Sequence, residues 1–148
     1  MKAVVQRVNE ASVSVDGEKI SEISRGLLVL LGLEKSDSED EVRNMAARLV
    51  KQRFFEDEAG KMNLSIADVG GQVLAVSQFT LAADLSRGLR PSFDSAMPPD
   101  VAKKLFEFFV SSLREKGVQV QEGVFGAHMH VKLVNDGPVT FVLEGAMK

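Results

Sequence analysis

Cysteine is absent from the 148 residues, and the chain has only two histidines, His128 and His130. Without cysteine the chain can form no disulfide, and thiolate catalysis and a cysteine-ligated zinc site are excluded. Any nucleophile must therefore be an oxygen, a nitrogen or a water molecule.

Long apolar runs are also absent. The longest, residues 26–33, is too short to cross a bilayer. Residues 1–7 interrupt their apolar residues too early for a signal peptide. We therefore expect a cytoplasmic protein with no membrane partner.

An excess of positive charge is missing as well, since the net charge is -3. Wrapping a nucleic-acid backbone requires many Lys and Arg contacts, so DNA is not an expected partner, although contact with one nucleic-acid end remains compatible with this charge. Apolar residues make up 45% of the chain and charged residues 26%, which is typical of globular proteins. The length and the lack of a linker favour a single domain over residues 1–148.

Walker, Rossmann and zinc-protease motifs are missing, and Gly70-Gly71 is too short to cradle a phosphate. On a strand, His128 and His130 would share one face with Lys132, which indicates a polar, solvent-facing surface. The alternative is that the two histidines serve as metal ligands or bases, as in a metal-dependent hydrolase.

Strand patterns dominate the first third of the chain. Polar and apolar residues alternate from Ser12 to Val15, and Asp16-Gly17 supplies a hairpin turn, which predicts a hairpin within residues 1–23. The continuous apolar run over residues 27–33 predicts a central strand covered on both faces.

Two amphipathic helices are predicted. Ser38 begins a capping box, and apolar residues at helical spacing follow to about Arg53. A second helix should begin near Pro99 and end at Gly117. We expect its buried stripe to consist of Val101, Leu105, Phe108, Phe109 and Leu113.

The remaining segments complete an α/β fold with a mixed sheet. Strands are predicted at residues 72–78, 118–122, 129–135 and 139–143, with turns over residues 56–60 and 135–138. Residues 81–99 contain glycine and proline with no clear period, which indicates a long connection of the kind that often carries function.

Two polar stretches are candidates for chemistry. One is the strand end at residues 77–80, and the other is the turn at residues 135–138. Where a strand stops pairing, free backbone N–H groups can stabilise a developing oxyanion. Strand-end polarity and an ordinary turn remain the alternatives. In residues 88–91, Arg90 could contact a phosphate or simply be solvated.

Several stretches of the sequence resemble one family. They are MKAVVQRV at residues 1–8, GLLVLLG at 26–32, SQFTL at 77–81, RPSF at 90–93 and FGAHMHVKLVNDGPVT at 125–140. In this order and in a chain of this length, they resemble the D-aminoacyl-tRNA deacylases.

The resemblance implies a single-domain α/β homodimer with a mixed, mostly antiparallel sheet in barrel-like layers and two main helices. It implies hydrolysis of the ester bond of D-aminoacyl-tRNA, and of glycyl-tRNA, at the 3′-terminal aminoacyl-adenosine, with no cofactor and no metal. A Gly-cisPro gate from the other subunit would exclude L-amino acids. The implied catalytic residues are Ser77, Gln78, Phe79 and Thr80, and the implied substrate-binding and gate residues are Gly137, Pro138, Arg7, Met129 and Phe125.

The nucleophile is left open by the resemblance. A Thr80 nucleophile needs an adjacent base, and none is near it in the sequence, so we favour water assisted by the 2′-hydroxyl of the tRNA. A noncatalytic module that binds an RNA 3′ end is the alternative function.

Overall fold

The computed structural model describes residues 1–145 and has a mixed α/β fold. Two long helices accompany eight strands over this part of the chain. In chain order the elements are β1 (Lys2–Val15), β2 (Glu18–Ile23), β3 (Gly26–Gly32), α1 (Glu39–Lys51), β4 (Phe55–Glu56), β5 (Met62–Leu64), β6 (Gln72–Ser77), a 3₁₀ helix (Phe79–Ala82), α2 (Pro99–Glu115), β7 (Gln119–Glu122) and β8 (His130–Glu144). Within residues 1–145, no helix has the length and apolar character needed to cross a membrane.

The main sheet is organised around β1. Along one edge β1 pairs with β8, and along the other it pairs first with β3 and then with β2, all antiparallel. Beyond β3, the strands β6 and β7 are added in parallel. Because β2 also lies near β6 and β7, the sheet curves into a nearly closed, barrel-like layer.

The central position predicted for residues 27–33 is confirmed by β3. Leu27, Val29 and Leu31 point to the core that lies under the helices, whereas Leu28 points to a second core inside the curved sheet. Both faces of β3 are therefore covered, which explains its continuous apolar sequence. The predicted hairpin is also present, with Asp16 and Gly17 at positive φ in its turn.

Both predicted helices are present and end close to the predicted residues. The Ser38 side chain accepts a hydrogen bond from the Glu41 backbone N–H at the start of α1. Gly117 follows α2 with a φ of 84°, which glycine adopts without steric cost. The buried face predicted for α2 was wrong at Val101, which is 46% exposed. Ala102 and Phe106 are buried in the core instead.

The predicted turn at residues 135–138 is wrong. It is a bulge within the continuous strand β8, because the residues on both sides of it pair with the same strand. Asn135 pairs with Val8 and Thr140 with Gln6, so four residues of β8 lie opposite Arg7 alone.

One further prediction needs correction, and one is confirmed with an addition. The strand predicted to run to Gln78 ends at Ser77, and the chain then turns into the 3₁₀ helix that holds Phe79 and Thr80. The predicted turn over residues 56–60 is present from residue 57 and connects a short antiparallel pair that was not predicted, β4 with β5.

Candidate functional site

A cavity of about 380 Å³ lies at the carboxyl ends of the parallel strands β3 and β6. Leu31 and Ser77, which are paired across these strands, form its floor, and α2 contributes Ala102 and Phe106 to one wall. Most of the lining is apolar, with the polar groups concentrated at the end of β6. Ligand sites commonly combine an apolar cavity with a few convergent polar groups in this way.

The backbone at the end of β6 supplies hydrogen-bond donors beside the cavity. The N–H of Gln78 donates to the Leu31 carbonyl at 2.8 Å, and the first bond of the 3₁₀ turn runs from the Leu81 N–H to the Gln78 carbonyl at 3.2 Å. The N–H groups of Phe79 and Thr80 come before the first N–H that is hydrogen-bonded within the turn, so the turn uses neither of them. Two consecutive N–H groups at a cavity are suited to holding a negatively charged oxygen.

The Thr80 hydroxyl accepts a hydrogen bond from the Gln78 side-chain amide. Among the described residues, no histidine or carboxylate accepts a proton from this hydroxyl. An oxygen that receives a hydrogen bond and lacks a base is a poor nucleophile. The arrangement therefore favours Thr80 as a residue that shapes the site and not as the nucleophile.

Aromatic side chains form much of the cavity's rim. The rings of Phe79 and Phe93 lie 5.1 Å apart between centroids, and those of Phe106 and Phe125 lie 6.2 Å apart. Phe79 is 60% exposed, so a ligand can reach its ring. Such surfaces can stack with a nucleobase.

The predicted site residues do not all line this cavity. Ser77, Gln78, Phe79 and Phe125 do so, and Thr80 adjoins them. Met129 instead packs against the core inside the curved sheet, beside Gly123. The cavity is also lined by Ala96, Met97 and Pro98, which lie in the connection predicted to carry function but were not singled out, and by Ala102 on α2, which no local sequence signal marks.

The Gly137–Pro138 peptide bond is cis and lies in the exposed bulge of β8. Asn135 closes the bulge, since its Oδ1 accepts from the Val139 N–H at 2.7 Å and its Nδ2 donates to the Val139 carbonyl at 3.2 Å. A Cβ atom on Gly137 would lie 2.4 Å from the Val139 nitrogen. A larger residue at this position would therefore force the bulge to change shape.

Arg7 supports the bulge from below. Its side chain is 6% exposed, and its Nε donates to the Asp136 carbonyl at 3.0 Å while its Nη1 donates to the Phe54 carbonyl at 2.8 Å. The carboxylates of Asp136 and Glu56 lie 3.5 Å and 3.6 Å from the guanidinium. Arg7 thus connects β1, the bulge and the segment that begins the β4–β5 pair.

Within one chain, the bulge and the cavity are far apart. The bulge lies opposite Arg7, which pairs with Leu27, whereas the cavity lies at Leu31 on the same strand. The two regions are separated by four residues along β3 and by three strand spacings across the sheet. Together these offsets give a distance on the order of 20 Å. A single chain therefore does not bring Gly137 to its own cavity.

The two histidines lie on the surface, as predicted. Both are exposed, and their rings meet edge to face with centroids 5.3 Å apart. Within residues 1–145, no group of three or more potential ligands is placed to hold a metal ion.

Comparisons with known proteins agree with the motifs. The model of the D-Tyr-tRNA(Tyr) deacylase family matches residues 4–144. A D-aminoacyl-tRNA deacylase of Thermodesulfovibrio yellowstonii is 57% identical over 97% of this chain and 98% of its own length. A protein of the same name from Geotalea uraniireducens is 58% identical over 97% of this chain and 93% of its own length.

Two solved structures share the fold. The c-Myc DNA unwinding element binding protein superposes with a TM-score of 0.92 at 44% identity, covering 97% of this chain and 98% of its own. A probable eukaryotic D-amino acid tRNA deacylase gives a TM-score of 0.85 at 16% identity, covering 96% of this chain and 97% of its own. With a family model that spans nearly the whole chain, these findings confirm the resemblance: the chain belongs to the D-Tyr-tRNA(Tyr) deacylase family of enzymes.

Proposed function

We propose that the protein hydrolyses the ester bond of D-aminoacyl-tRNA and releases the free D-amino acid and tRNA. The observation that carries this proposal is the apolar cavity at the ends of β3 and β6, which has backbone donors beside it in a chain of this family. The cavity has room for an amino acid joined to a terminal nucleoside.

The chemistry requires positioning more than an activated side chain. An aminoacyl ester is already reactive, so a water molecule placed near its carbonyl carbon can attack while the N–H groups of Phe79 and Thr80 hold the oxyanion. The 2′-hydroxyl of the terminal ribose would assist the water. No step in this scheme needs a cofactor or a metal ion.

Selection against L-amino acids would come from the backbone at Gly137 and Pro138. Since this segment lies on the order of 20 Å from the cavity of its own chain, it must reach the cavity of a second copy, and the active protein is a homodimer. Glycine allows the backbone to approach the substrate closely and crowd one side of its α-carbon. Glycyl-tRNA, which has no side chain to exclude, should also be hydrolysed.

The surface around the bulge is suited to a partner subunit. Phe141 and Val142, which follow the bulge on β8, are 36% and 60% exposed. Met129, which does not line its own cavity, would contribute to a pocket wall only through this assembly. We further propose that residues 1–148 act as one catalytic domain in the cytoplasm.

The direct test is deacylation of matched D- and L-aminoacyl-tRNA at catalytic protein concentrations, with glycyl-tRNA as a third substrate. We expect the D ester to be hydrolysed at least about 100-fold faster than the L ester, which is roughly 2.7 kcal/mol of discrimination. Equal rates would refute the chiral role. Binding to tRNA without turnover would instead identify a noncatalytic module that binds an RNA 3′ end.

The absence of DNA binding remains a prediction. One similar structure carries a name that refers to a DNA element. Titration with duplex DNA at physiological salt, beside uncharged tRNA, would decide between the two nucleic acids.

A further inference from the structure

A loop at the edge of the cavity carries positive charge that the proposed chemistry does not use. We call residues 84–92 the rim loop. Its base is closed by two backbone hydrogen bonds between Asp84 and Ser92, at 2.7 Å and 3.0 Å. Every residue from Asp84 to Pro91 is exposed, including Arg87 and Arg90.

The rim loop has internal bonds that hold its shape. Asp84 Oδ1 accepts from the Ser86 N–H at 2.9 Å and from the Ser86 hydroxyl at 2.6 Å. These bonds lower the pKa of the Asp84 carboxyl. Below the loop, the Ser95 hydroxyl donates to the Ala82 carbonyl at 2.8 Å. The two arginines therefore project from a braced loop.

The charge on the tip of the loop has one sign. Residues 85–91 contain Arg87 and Arg90 and no acidic residue, in a chain whose net charge is -3. Across residues 1–145, neither guanidinium forms an ion pair with a carboxylate. Both are therefore available to an anionic ligand.

The loop is continuous with the cavity wall. Phe79 precedes it and Phe93 follows it, and both rings line the cavity. Arg90 is three residues from Phe93, so its backbone lies within about 10 Å of the wall. An RNA strand whose 3′ end enters the cavity would pass beside the arginines.

We propose that the rim loop binds the phosphates of the single-stranded RNA 3′ end, through Arg87 and Arg90, next to the nucleoside in the cavity. This inference rests on the proposed function for the identity of the substrate. A guanidinium presents a planar set of donors that fits a phosphate, and contacts of this kind supply affinity that depends on salt. The loop would thereby give an acidic protein a local contact with one end of the tRNA.

The test compares Arg87→Gln, Arg90→Gln and the double variant with Lys116→Gln. Lys116 is an exposed cation just after α2, about 15 Å along the helix axis from Phe106, the residue of α2 nearest to it in the cavity wall. Each variant is assayed on D-aminoacyl-tRNA and on 3′-D-aminoacyl-adenosine, which has no phosphate. Binding of uncharged tRNA is measured separately over a range of salt concentrations.

We expect each single loop variant to lower kcat/KM for D-aminoacyl-tRNA several-fold through KM, and the double variant to lower it by at least about tenfold. The slope of log affinity against log salt should decrease by about 0.7 for each contact removed. Hydrolysis of D-aminoacyl-adenosine should be unchanged, and Lys116→Gln should match the wild type on both substrates.

An unchanged salt slope in the double variant would overturn the proposal, as would an equal loss on both substrates. If the wild type hydrolyses neither substrate, the proposed function fails. The tRNA-binding measurement still tests the loop in that case, since loss of binding in the double variant alone supports the phosphate contacts and unchanged binding refutes them.

Discussion

The cavity and the β8 bulge expose backbone in opposite ways. At the cavity, parallel strands stop together, and the groups left beyond their ends face a space enclosed by apolar side chains. At the bulge, an antiparallel pair continues on both sides, and the inserted residues project outward with a buried arginine below them. The cavity is thus a recess and the bulge a protrusion, and we use these two names for them below.

Under the proposed function, neither region makes a complete site alone. The recess contains donors for an oxyanion, but Gly137 and Pro138 are absent from its lining. The protrusion has a fixed shape, maintained by Arg7 and Asn135, and is exposed within its own chain. A recess and a protrusion are complementary, so two copies can each supply what the other lacks.

The largest effect is expected when the recess is damaged in one chain and the protrusion in the other. Gly137→Ala should distort the protrusion, and Ala102→Phe should fill the recess, so each homodimer should lose at least about 100-fold of its deacylation rate. Mixed after unfolding and refolding, the two variants should recover about a quarter of wild-type activity, because half the dimers are mixed and each has one intact site.

The control is each variant refolded alone, with light scattering to measure dimerisation. If both regions of one site came from the same chain, every mixed dimer would be inactive. Absence of recovery in dimers that form normally would therefore defeat the two-chain arrangement.

A second prediction concerns the support of the protrusion. Arg7→Ala removes the donors to the Asp136 and Phe54 carbonyls, which should lower the free energy of unfolding by roughly 3 kcal/mol while the protein stays folded. Deacylation, or the preference for D over L substrates, should fall by at least about tenfold. Urea titration and matched D and L assays measure the two effects.

Arg43→Ala is the matched control for Arg7, because Arg43 is an exposed arginine paired with Asp40 on α1. An exposed pair of this kind contributes at most about 1 kcal/mol. If Arg7→Ala behaved like Arg43→Ala in both assays, Arg7 would have no special part in shaping the protrusion.

The sequence predicted the recess better than the protrusion for a physical reason. Strand β3 and helix α2, which contribute to the recess, depend on apolar period and local turn chemistry, which neighbouring residues specify. The bulge depends on Gln6 and Val8 pairing with residues more than 120 positions away, so its Asn-Asp-Gly-Pro sequence looked like a turn between two strands.

The same distinction between local and long-range signals applies to the residues of the candidate site. Gln78, Phe79 and Phe125 were found through motifs, and the structure places all three at one cavity. Ala102 and the Phe54 carbonyl that binds Arg7 carry no local signal, because their importance depends on which elements pack together. The 3₁₀ turn after Ser77 was likewise hidden in a run typical of a strand end.

A smaller effect is expected at Thr80 in the recess. The Thr80 hydroxyl accepts from Gln78 and has no base beside it among residues 1–145, so Thr80→Ala should leave substantial hydrolysis, within about tenfold to thirtyfold of wild type. The backbone N–H of residue 80 is retained in this variant. Rapid-quench mass spectrometry during turnover should show no aminoacyl ester on the wild-type protein, and trapping one on Thr80 would contradict the water mechanism.

The smallest effect should come from the histidines, which belong to neither region. His128 and His130 are exposed and lack a third ligand among the described residues, so the double change to alanine should keep activity within about tenfold, or ~1.4 kcal/mol. Deacylation should also survive a strong chelator. Collapse of the rate in a protein with unchanged unfolding, or inactivation by the chelator reversed by added zinc, would move the chemistry to this surface and replace the two-region site with a metal centre.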